Sequence, residues 1–276
     1  MKLISKNKVL DLSKPQIMGI LNVTPDSFSD GGKYTQLDKA LEQVEAMIQA
    51  GATIIDIGGE STRPGAALVS EQEELARVIP LVKAIREKSD VWISIDTSKA
   101  EVMKQSIEHG ADLINDIRSL SEDGALEVVA EAGVPVCIMH MQGQPQNMQD
   151  APKYTDVIEE VSSYLSQRIE ECVAAGVKRE NIIIDPGFGF GKTVEHNYQL
   201  LANVSKLHKY QLPILIGLSR KSMISNALQK PTLECVTGSV MAATLAAEQG
   251  AQIFRVHDVE QTKDALTILE MMQANR

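Results

Sequence analysis

Polar and charged residues recur along the chain, each group directly after a short apolar run. In chain order they are Asn22, Glu60-Ser61-Thr62-Arg63, Asp96, Asn115-Asp116, His140, Asp185, Ser219-Arg220-Lys221 and Arg255-Val256-His257. Guanidinium forks suit phosphate and carboxylate groups. In a chain with a net charge of −10, the basic members of this set therefore indicate an anionic substrate. Arg220 could instead pair with an acidic residue, and this alternative stays open.

Asp96, Asn115 and Asp185 form a second group. Carboxylates accept hydrogen bonds and an amide both donates and accepts, so the three could bind the N–H edge of a nitrogen heterocycle. A magnesium site is the alternative, because Mg²⁺ prefers oxygen ligands. No H-x-H or H-E-x-x-H pattern is present, which disfavours a zinc hydrolase. We interpret His109 and His140 as mainly structural, and Asp116 and Ser61 could equally be helix caps.

The stretch "IIIDPGFGFGKT", residues 182–193, ends like a phosphate-binding P-loop. The pattern G-x-x-x-x-G-K-[ST] requires a glycine at position 186, where this chain has Pro186. The glycines alternate instead with Phe188 and Phe190, which predicts a tight turn close to a flat substrate. On this interpretation Lys192 and Thr193 only begin the next helix.

Eight apolar runs must position these residues. Five follow a glycine that is well placed to end a helix, at positions 51, 110, 133, 176 and 250. The runs are apolar on both faces, as expected of parallel strands covered by helices. The segment with Leu37, Ala40, Leu41, Val44, Met47 and Ile48 has helical spacing, and so does the segment from Ser70 to Ile85. This alternation predicts a TIM barrel, with a doubly wound sheet as the second choice.

The strands of such a barrel end around one mouth, so we expect all the polar groups above to form one site there. No linker divides the chain, which we interpret as one domain over residues 1–276. The loops after the first two strands, "NVTPDSFSDGGKYT" and "GGESTRPGAALVS", are expected to be lids over the mouth.

Composition excludes several classes of partner. The pI near 5.1 argues against nucleic acid, because phosphate backbones require a basic surface. No run approaches 18 apolar residues and the N-terminus does not resemble a signal peptide, so we expect a cytoplasmic protein without a membrane partner. The three cysteines match neither a disulfide framework nor a zinc spacing, and we expect buried thiols.

Eight sequence blocks resemble the bacterial dihydropteroate synthase family. They run from about residue 16 to 259 in the family's order: "MGILNVTPDSFSDGG", "GATIIDIGGESTRPGA", "SIDTSK", "INDI", "MHMQG", "DPGFGFGKT", "GLSRKSMI" and "RVHD". The resemblance implies a TIM barrel that condenses 6-hydroxymethyl-7,8-dihydropterin diphosphate with 4-aminobenzoate. The implied products are 7,8-dihydropteroate and diphosphate, the implied cofactor is Mg²⁺, and a homodimer is the family expectation.

The resemblance also implies residue roles. Asp96, Asn115, Asp185 and Lys221 would bind the pterin, and Asn22 would ligate Mg²⁺. Thr62, Arg63, Arg255 and His257 would join Asn22 in holding the diphosphate. The aminobenzoate site would consist of Phe28, Arg63, Pro64, Phe190, Ser219 and Lys221. The family's reaction implies catalytic roles for Asp96, Asp185, Lys221 and Arg255, with no covalent nucleophile on the protein.

Three other functions are alternatives to the dihydropteroate synthase reaction. A methyltetrahydrofolate-binding barrel methyltransferase would have no diphosphate to bind, which would leave Arg63, Arg255 and His257 without a role. A non-catalytic pterin-binding relative would be expected to lack Asn22, Arg63 or Arg255, and all three are present. A P-loop ATPase does not fit the glycine spacing described above.

Overall fold

The structure, a computed structural model, describes residues 1–23, 33–61, 69–144 and 148–276, and for residues 33–35 it describes the backbone alone. In these ranges a short antiparallel hairpin precedes eight parallel strands. The hairpin strands are β1 (Lys2–Ser5) and β2 (Lys8–Asp11). The parallel strands are β3 (Gln16–Asn22), β4 (Ile54–Gly58), β5 (Trp92–Asp96), β6 (Leu113–Asp116), β7 (Val136–Met139), β8 (Ile182–Asp185), β9 (Leu215–Ile216) and β10 (Ile253–Val256).

Helices alternate with these strands and cover the outside of the sheet. They are α1 (Lys33–Gln49), α2 (Glu71–Lys88), α3 (Ala100–Glu108), α4 (Ala125–Ala132), α5 (Val157–Ala174), α6 (Val194–Leu201), α7 (Ser222–Leu228), α8 (Val236–Glu248) and α9 (Val259–Gln273). Short 3-10 turns lie at Arg179–Asn181, Val204–Tyr210 and Thr232–Glu234. The predicted helical stripes are confirmed, with Val44 and Val78 buried in the core. The five helix-ending glycines all have positive φ, from 65° to 114°.

The sheet closes into a barrel. Its strand order is β8-β7-β6-β5-β4-β3-β10-β9, and a parallel bridge between Ile184 and Ile214 joins the two ends. The eight predicted strands are all present, and the TIM barrel prediction is confirmed, whereas the doubly wound sheet is wrong. Adjacent strands in chain order therefore lie side by side, and their carboxyl ends surround one mouth.

Alternate residues of each strand face the two sides of the sheet. The outward residues, such as Ile55, Ile93 and Ile184, join the core between strands and helices. The inward residues form an apolar layer at the amino ends of the strands: Met18, Ile54, Trp92, Leu113, Cys137, Ile183, Leu215 and Ile253. Cys137, Cys172 and Cys235 are free and buried, as expected.

The β1–β2 hairpin closes the amino-terminal end of the barrel. Its residues Leu3, Leu10 and Leu12 are at most 7% exposed and belong to the same cluster as the inward apolar layer. The sequence prediction missed this element, because two strands of four residues give too short an alternation to stand out. None of the described helices combines the length and apolar character that crossing a membrane requires.

Asp112, just before β6, connects the hairpin to the barrel. Its Oδ2 accepts hydrogen bonds from Lys8 Nζ at 2.8 Å, Arg86 Nη2 at 2.6 Å and the Ile93 N–H at 2.9 Å. The carboxylate is 4% exposed, so its charge depends on these donors. The closed end of the barrel therefore contains one charged cluster beside its apolar layer.

We expect Asp112→Ala to lower the free energy of unfolding by about 3 kcal/mol, because two cations and a buried N–H lose their acceptor. The arrangement of the mouth should stay unchanged, since it lies at the other end of the barrel. Chemical denaturation is the measurement, and Asp90→Ala, an exposed carboxylate nearby, is the control. Equal stability of Asp112→Ala and Asp90→Ala would contradict this account.

Candidate active site

Most inward positions near the carboxyl ends of the strands are polar, in contrast to the apolar layer below them, although Ile20 and Met139 are apolar. Strand pairing brings them together: Asp56 lies opposite Ser94, and Asp96 lies between Gly58 and Asn115. These residues are one or two inward positions above the apolar layer. The structure thus brings most of the polar strand ends predicted from sequence to a single mouth.

Arg255 lies at the centre of this polar layer. Its Nε donates to Asp56 Oδ2 at 2.6 Å, and its Nη2 donates to Asp96 Oδ2 at 2.7 Å. Burial opposes the charged form of Arg255, but the two carboxylates outweigh that effect and raise its pKa. Burial also raises the pKa of Asp96 above its ordinary value, with Arg255 opposing the rise. Arg255, expected at the diphosphate, therefore also organises the acidic side of the site.

Asp56 is a site residue that sequence analysis missed. It is fully buried and accepts hydrogen bonds from Ser94 Oγ at 2.6 Å, Asn115 Nδ2 at 3.3 Å and Arg255 Nε. Its signal was available in the strand "IIDIGG": a lone carboxylate in a buried strand that ends at Gly58. Asp56 was not among the predicted strand-end residues because it lies two residues before the end of β4.

Asp185, Lys221 and Phe190 meet on the other side of the mouth. Asp185 Oδ1 accepts from the Gly187 N–H at 2.7 Å. Burial raises the pKa of Asp185 to about 6, and the Gly187 N–H and the nearby lysines oppose the rise. Lys221 Nζ lies 4.1 Å from the centre of the Phe190 ring. Burial lowers the pKa of Lys221 to about 8, and Arg255 shifts it in the same direction.

The turn after β8 corrects one interpretation. Thr193 is the N-cap of α6, as expected, and its side chain accepts from the His196 N–H. Lys192, expected only to begin that helix, is 3% exposed. Its Nζ donates to the carbonyl oxygens of Gly187 and Phe190 at 2.8 and 3.0 Å. The prediction for Lys192 is therefore wrong, because a lysine inside the turn organises its backbone.

Asn22 lies beside Asp96 at the rim. A β-carbon added to Gly58 would lie 3.5 Å from Asn22 Oδ1 and 3.7 Å from Asp96 Cβ, so both side chains face the space above this glycine. Among the residues that the structure describes, no three His, Cys, Asp or Glu side chains are grouped to hold a metal ion. Mg²⁺ commonly takes one or two protein oxygens together with phosphate oxygens, and the Asn22 amide fits that pattern.

Two further predicted residues meet at the ends of β9 and β10. Ser219 Oγ lies 3.1 Å from His257 Nδ1 and accepts from the His257 N–H at 3.1 Å. The neighbouring Arg220 forms a bidentate ion pair with Asp258. The alternative of a structural ion pair is thus confirmed for Arg220, and the pair links the two loops that carry Ser219 and His257.

Three other polar residues have structural contacts. Asp116 accepts from the N–H groups of Arg118 and Leu120 at 2.8 and 2.7 Å and so caps a turn, not a helix, because α4 begins only at Ala125 with Gly124 as its N-cap. His109 Nδ1 lies 2.7 Å from the Gln105 carbonyl. His140 is 6% exposed, and burial together with Lys192 lowers its pKa to about 3, so its ring is neutral. The mainly structural interpretation of both histidines agrees with these contacts.

Several predicted positions lie outside the described residues. They include most of both loops expected to act as lids, and the site candidates Phe28, Thr62, Arg63 and Pro64.

Comparison with known proteins bears on the chemistry of this mouth. The sequence profile described as "Pterin binding enzyme" matches residues 18–257. A dihydropteroate synthase from Escherichia coli (strain K12) is 57% identical over 270 residues, which is 98% of this chain and 96% of that protein.

Solved structures of dihydropteroate synthases are also similar to this chain. The Yersinia pestis dihydropteroate synthase with a sulfonamide drug complex has a TM-score of 0.95 and 58% identity, covering 99% of this chain and 100% of that one. The Xanthomonas albilineans enzyme with 4-aminobenzoic acid has a TM-score of 0.94 and 45% identity, covering 99% and 98%. The chain therefore belongs to the pterin-binding enzyme family and, within it, to the dihydropteroate synthases.

Proposed function

We propose that the residues at the barrel mouth carry out the dihydropteroate synthase reaction. This reaction condenses 6-hydroxymethyl-7,8-dihydropterin diphosphate with 4-aminobenzoate and yields 7,8-dihydropteroate and diphosphate. One observation supports these roles most strongly: a hydrogen-bonded network lies beside a carboxylate–lysine pair. The network consists of Asp56, Asp96, Asn115 and Arg255, and the pair is Asp185 and Lys221. Together they offer acceptors and donors for a heterocycle next to cations for an anionic leaving group.

The pterin is held by Asp96, Asn115, Asp185 and Lys221. The carboxylates accept hydrogen bonds from the amino group and ring N–H groups, and the asparagine amide both donates and accepts. All but Lys221 are at most 7% exposed, so their orientation is fixed by surrounding contacts before substrate arrives. Asn115, for example, already donates to Asp56 at 3.3 Å.

The diphosphate is held by Arg255 and His257 together with Asn22, Thr62 and Arg63. Arg255 is oriented by Asp56 and Asp96, which keep its guanidinium charged at the mouth. Asn22 would be the protein ligand for Mg²⁺. When bound, the ion neutralises negative charge on the phosphate oxygens. The arginines have the same effect on the leaving group, because a fixed cation stabilises charge that grows as the bond breaks.

The reaction begins as the bond between the pterin methylene carbon and the diphosphate oxygen breaks. The electron pair leaves with diphosphate, and a cation forms that is delocalised over the pterin. The carboxylates of Asp96 and Asp185 stabilise this positive charge electrostatically. The aminobenzoate nitrogen then attacks the methylene carbon, a carbon–nitrogen bond forms, and the proton released from the nitrogen passes to solvent. The attacking amine is already nucleophilic, so no serine, cysteine or lysine acts covalently.

The 4-aminobenzoate occupies the side of the mouth formed by Phe190, Ser219 and Lys221, with Phe28, Arg63 and Pro64 from the two loops. The Phe190 ring supplies a flat apolar surface, and Lys221 lies at 4.1 Å from its centre. A cation beside an aromatic face suits a planar ring that carries a carboxylate. A methyl-transfer barrel does not need a site for a planar ring that carries a carboxylate. The relatives give that alternative no support.

Incubation of the purified chain with the pterin diphosphate, 4-aminobenzoate and Mg²⁺ tests this function. We expect 7,8-dihydropteroate and diphosphate in equal amounts, separated by chromatography. Methyltetrahydrofolate with a cobalamin acceptor is the parallel assay for methyl transfer. A folded sample that forms no dihydropteroate would rule out the proposal.

We expect Arg255→Ala to lose diphosphate binding and about 3 kcal/mol of stability, because Asp56 and Asp96 lose their cation. Asp96→Asn should mainly weaken pterin binding, since the amide can still accept from Arg255. Calorimetric titration with diphosphate and with a pterin separates the two effects. Wild-type diphosphate affinity in Arg255→Ala would show that the anion binds elsewhere.

We also infer that the whole chain is one domain, that the protein is cytoplasmic and that it forms a homodimer. Helices α8 and α9, which pack against each other, expose Met241, Leu245, Ile268 and Met271 to between 49% and 71%. A group of large apolar side chains on neighbouring helices is typical of a protein interface. The proposed dimer therefore buries this face against a second copy of the chain.

Leu245→Glu should shift the protein from dimer to monomer, because burying a charge in an apolar interface is unfavourable. Light scattering coupled to size-exclusion chromatography measures the mass. Val173→Glu, on α5 and 42% exposed, changes the same kind of residue outside the proposed interface and should leave the mass unchanged. A monomeric wild type, or a dimeric Leu245→Glu, would disprove the interface.

A further inference from the structure

Lys192 is a buried lysine whose hydrogen-bond acceptors are neutral. Its Nζ lies 2.8 Å from the Gly187 carbonyl oxygen, 3.0 Å from that of Phe190 and 2.9 Å from His140 Nδ1. The side chain is 3% exposed, and burial lowers its pKa to about 7. Burying an ammonium group in this way is unfavourable. A methionine would fill similar volume without that penalty but could not donate to the two carbonyl oxygens, so the hydrogen bonds of Lys192 to the turn are what distinguish this residue.

The two carbonyl groups belong to one tight turn. The Phe190 N–H donates to the Gly187 oxygen at 3.2 Å, and the Lys192 ammonium binds the oxygens of both residues. Gly187 has φ 70°, and a β-carbon on it would lie 1.9 Å from the His140 carbonyl oxygen. The turn therefore packs against the segment after β7, and Lys192 binds to both, through His140 and through the turn.

The turn places two groups at the mouth. At its start, the Gly187 N–H donates to Asp185 Oδ1. At its end, the Phe190 ring lies below Lys221 Nζ at 4.1 Å. The Phe190 carbonyl is bound by Lys192, so the lysine fixes the backbone from which this ring projects. Lys192 itself is enclosed by backbone and histidine acceptors, which leaves it no contact with substrate.

We propose that Lys192 is a positioning residue for the second substrate: it holds the 187–190 turn so that the Phe190 ring stays beside Lys221 and receives the 4-aminobenzoate ring. This inference rests on the proposed aminobenzoate site. It gives the Gly-Lys-Thr ending of the turn a function other than phosphate binding. The lysine binds carbonyl oxygens of its own turn instead of a nucleotide.

Steady-state kinetics with both substrates tests the proposal in wild type, Lys192→Met, Phe190→Leu and the double variant. We expect each single variant to raise the KM for 4-aminobenzoate about tenfold, with a much smaller change for the pterin diphosphate. Because both changes act through the same ring, the double variant should be no worse than the more impaired single variant.

Lys8→Met is the matched control. Burial lowers the pKa of Lys8 as it does that of Lys192, but Lys8 is only partly buried and binds Asp112 at the closed end of the barrel. It should lower Tm and leave both KM values unchanged, which separates general destabilisation from positioning.

The outcomes are distinguishable. The role of Lys192 would be overturned if the two substitutions multiplied their effects on the KM for 4-aminobenzoate in the double variant. It would also be overturned if Lys192→Met, like Lys8→Met, lowered only Tm. Either result would leave the proposed function intact. An unchanged KM in Phe190→Leu would overturn the aminobenzoate site and this inference with it. Failure of the wild type to form dihydropteroate would overturn both the function and the inference.

Discussion

The ion pairs of Arg255 with Asp56 and Asp96 are the interaction on which the mouth of the barrel depends. Two carboxylates buried next to each other would repel if no cation lay between them. The guanidinium between them offsets this repulsion and binds both in a fixed direction. Ser94 and Asn115 also donate hydrogen bonds to the Asp56 carboxylate. A network of this kind is rigid, because each member has a partner in the folded chain.

This rigidity matters for chemistry. A reaction that expels diphosphate and forms a cation needs fixed charges of both signs within a short distance, and it gains most when they are oriented before the substrate binds. The acidic side of the mouth, the lysine above Phe190 and the arginine between Asp56 and Asp96 meet that requirement. The same arrangement is costly for folding, since charges leave water. Stability must therefore come from elsewhere in the barrel.

The two ends of the barrel divide these tasks. At the amino ends of the strands, an apolar layer is capped by the β1–β2 hairpin, and a charged cluster there centres on Asp112. At the carboxyl ends, most of the next inward positions along the strands are polar. The helices pack on the outward face of every strand and supply the main core. The main apolar core therefore lies away from the residues at the mouth.

The sequence alone determined the barrel, the mouth and the family. Helix-ending glycines, strands apolar on both faces and polar strand ends are local patterns, and they predicted all eight strands and the grouping of Asp96, Asn115, Asp185, Lys221 and Arg255. The long blocks that resemble the family supplied the reaction. Each of these conclusions depends on residues that are close together in the chain or on motifs of known meaning.

Only the tertiary structure decided which groups bind one another. The partners Asp56 and Arg255 are 199 positions apart, so no local pattern connects them. From sequence alone, Arg220 could be a substrate contact, but in the structure it forms an ion pair with Asp258. Lys192 resembled the start of a helix, and its role follows from carbonyl oxygens that converge only when the turn packs against the segment after β7. Side chains of ordinary type acquire these roles from the directions in which the folded backbone points them.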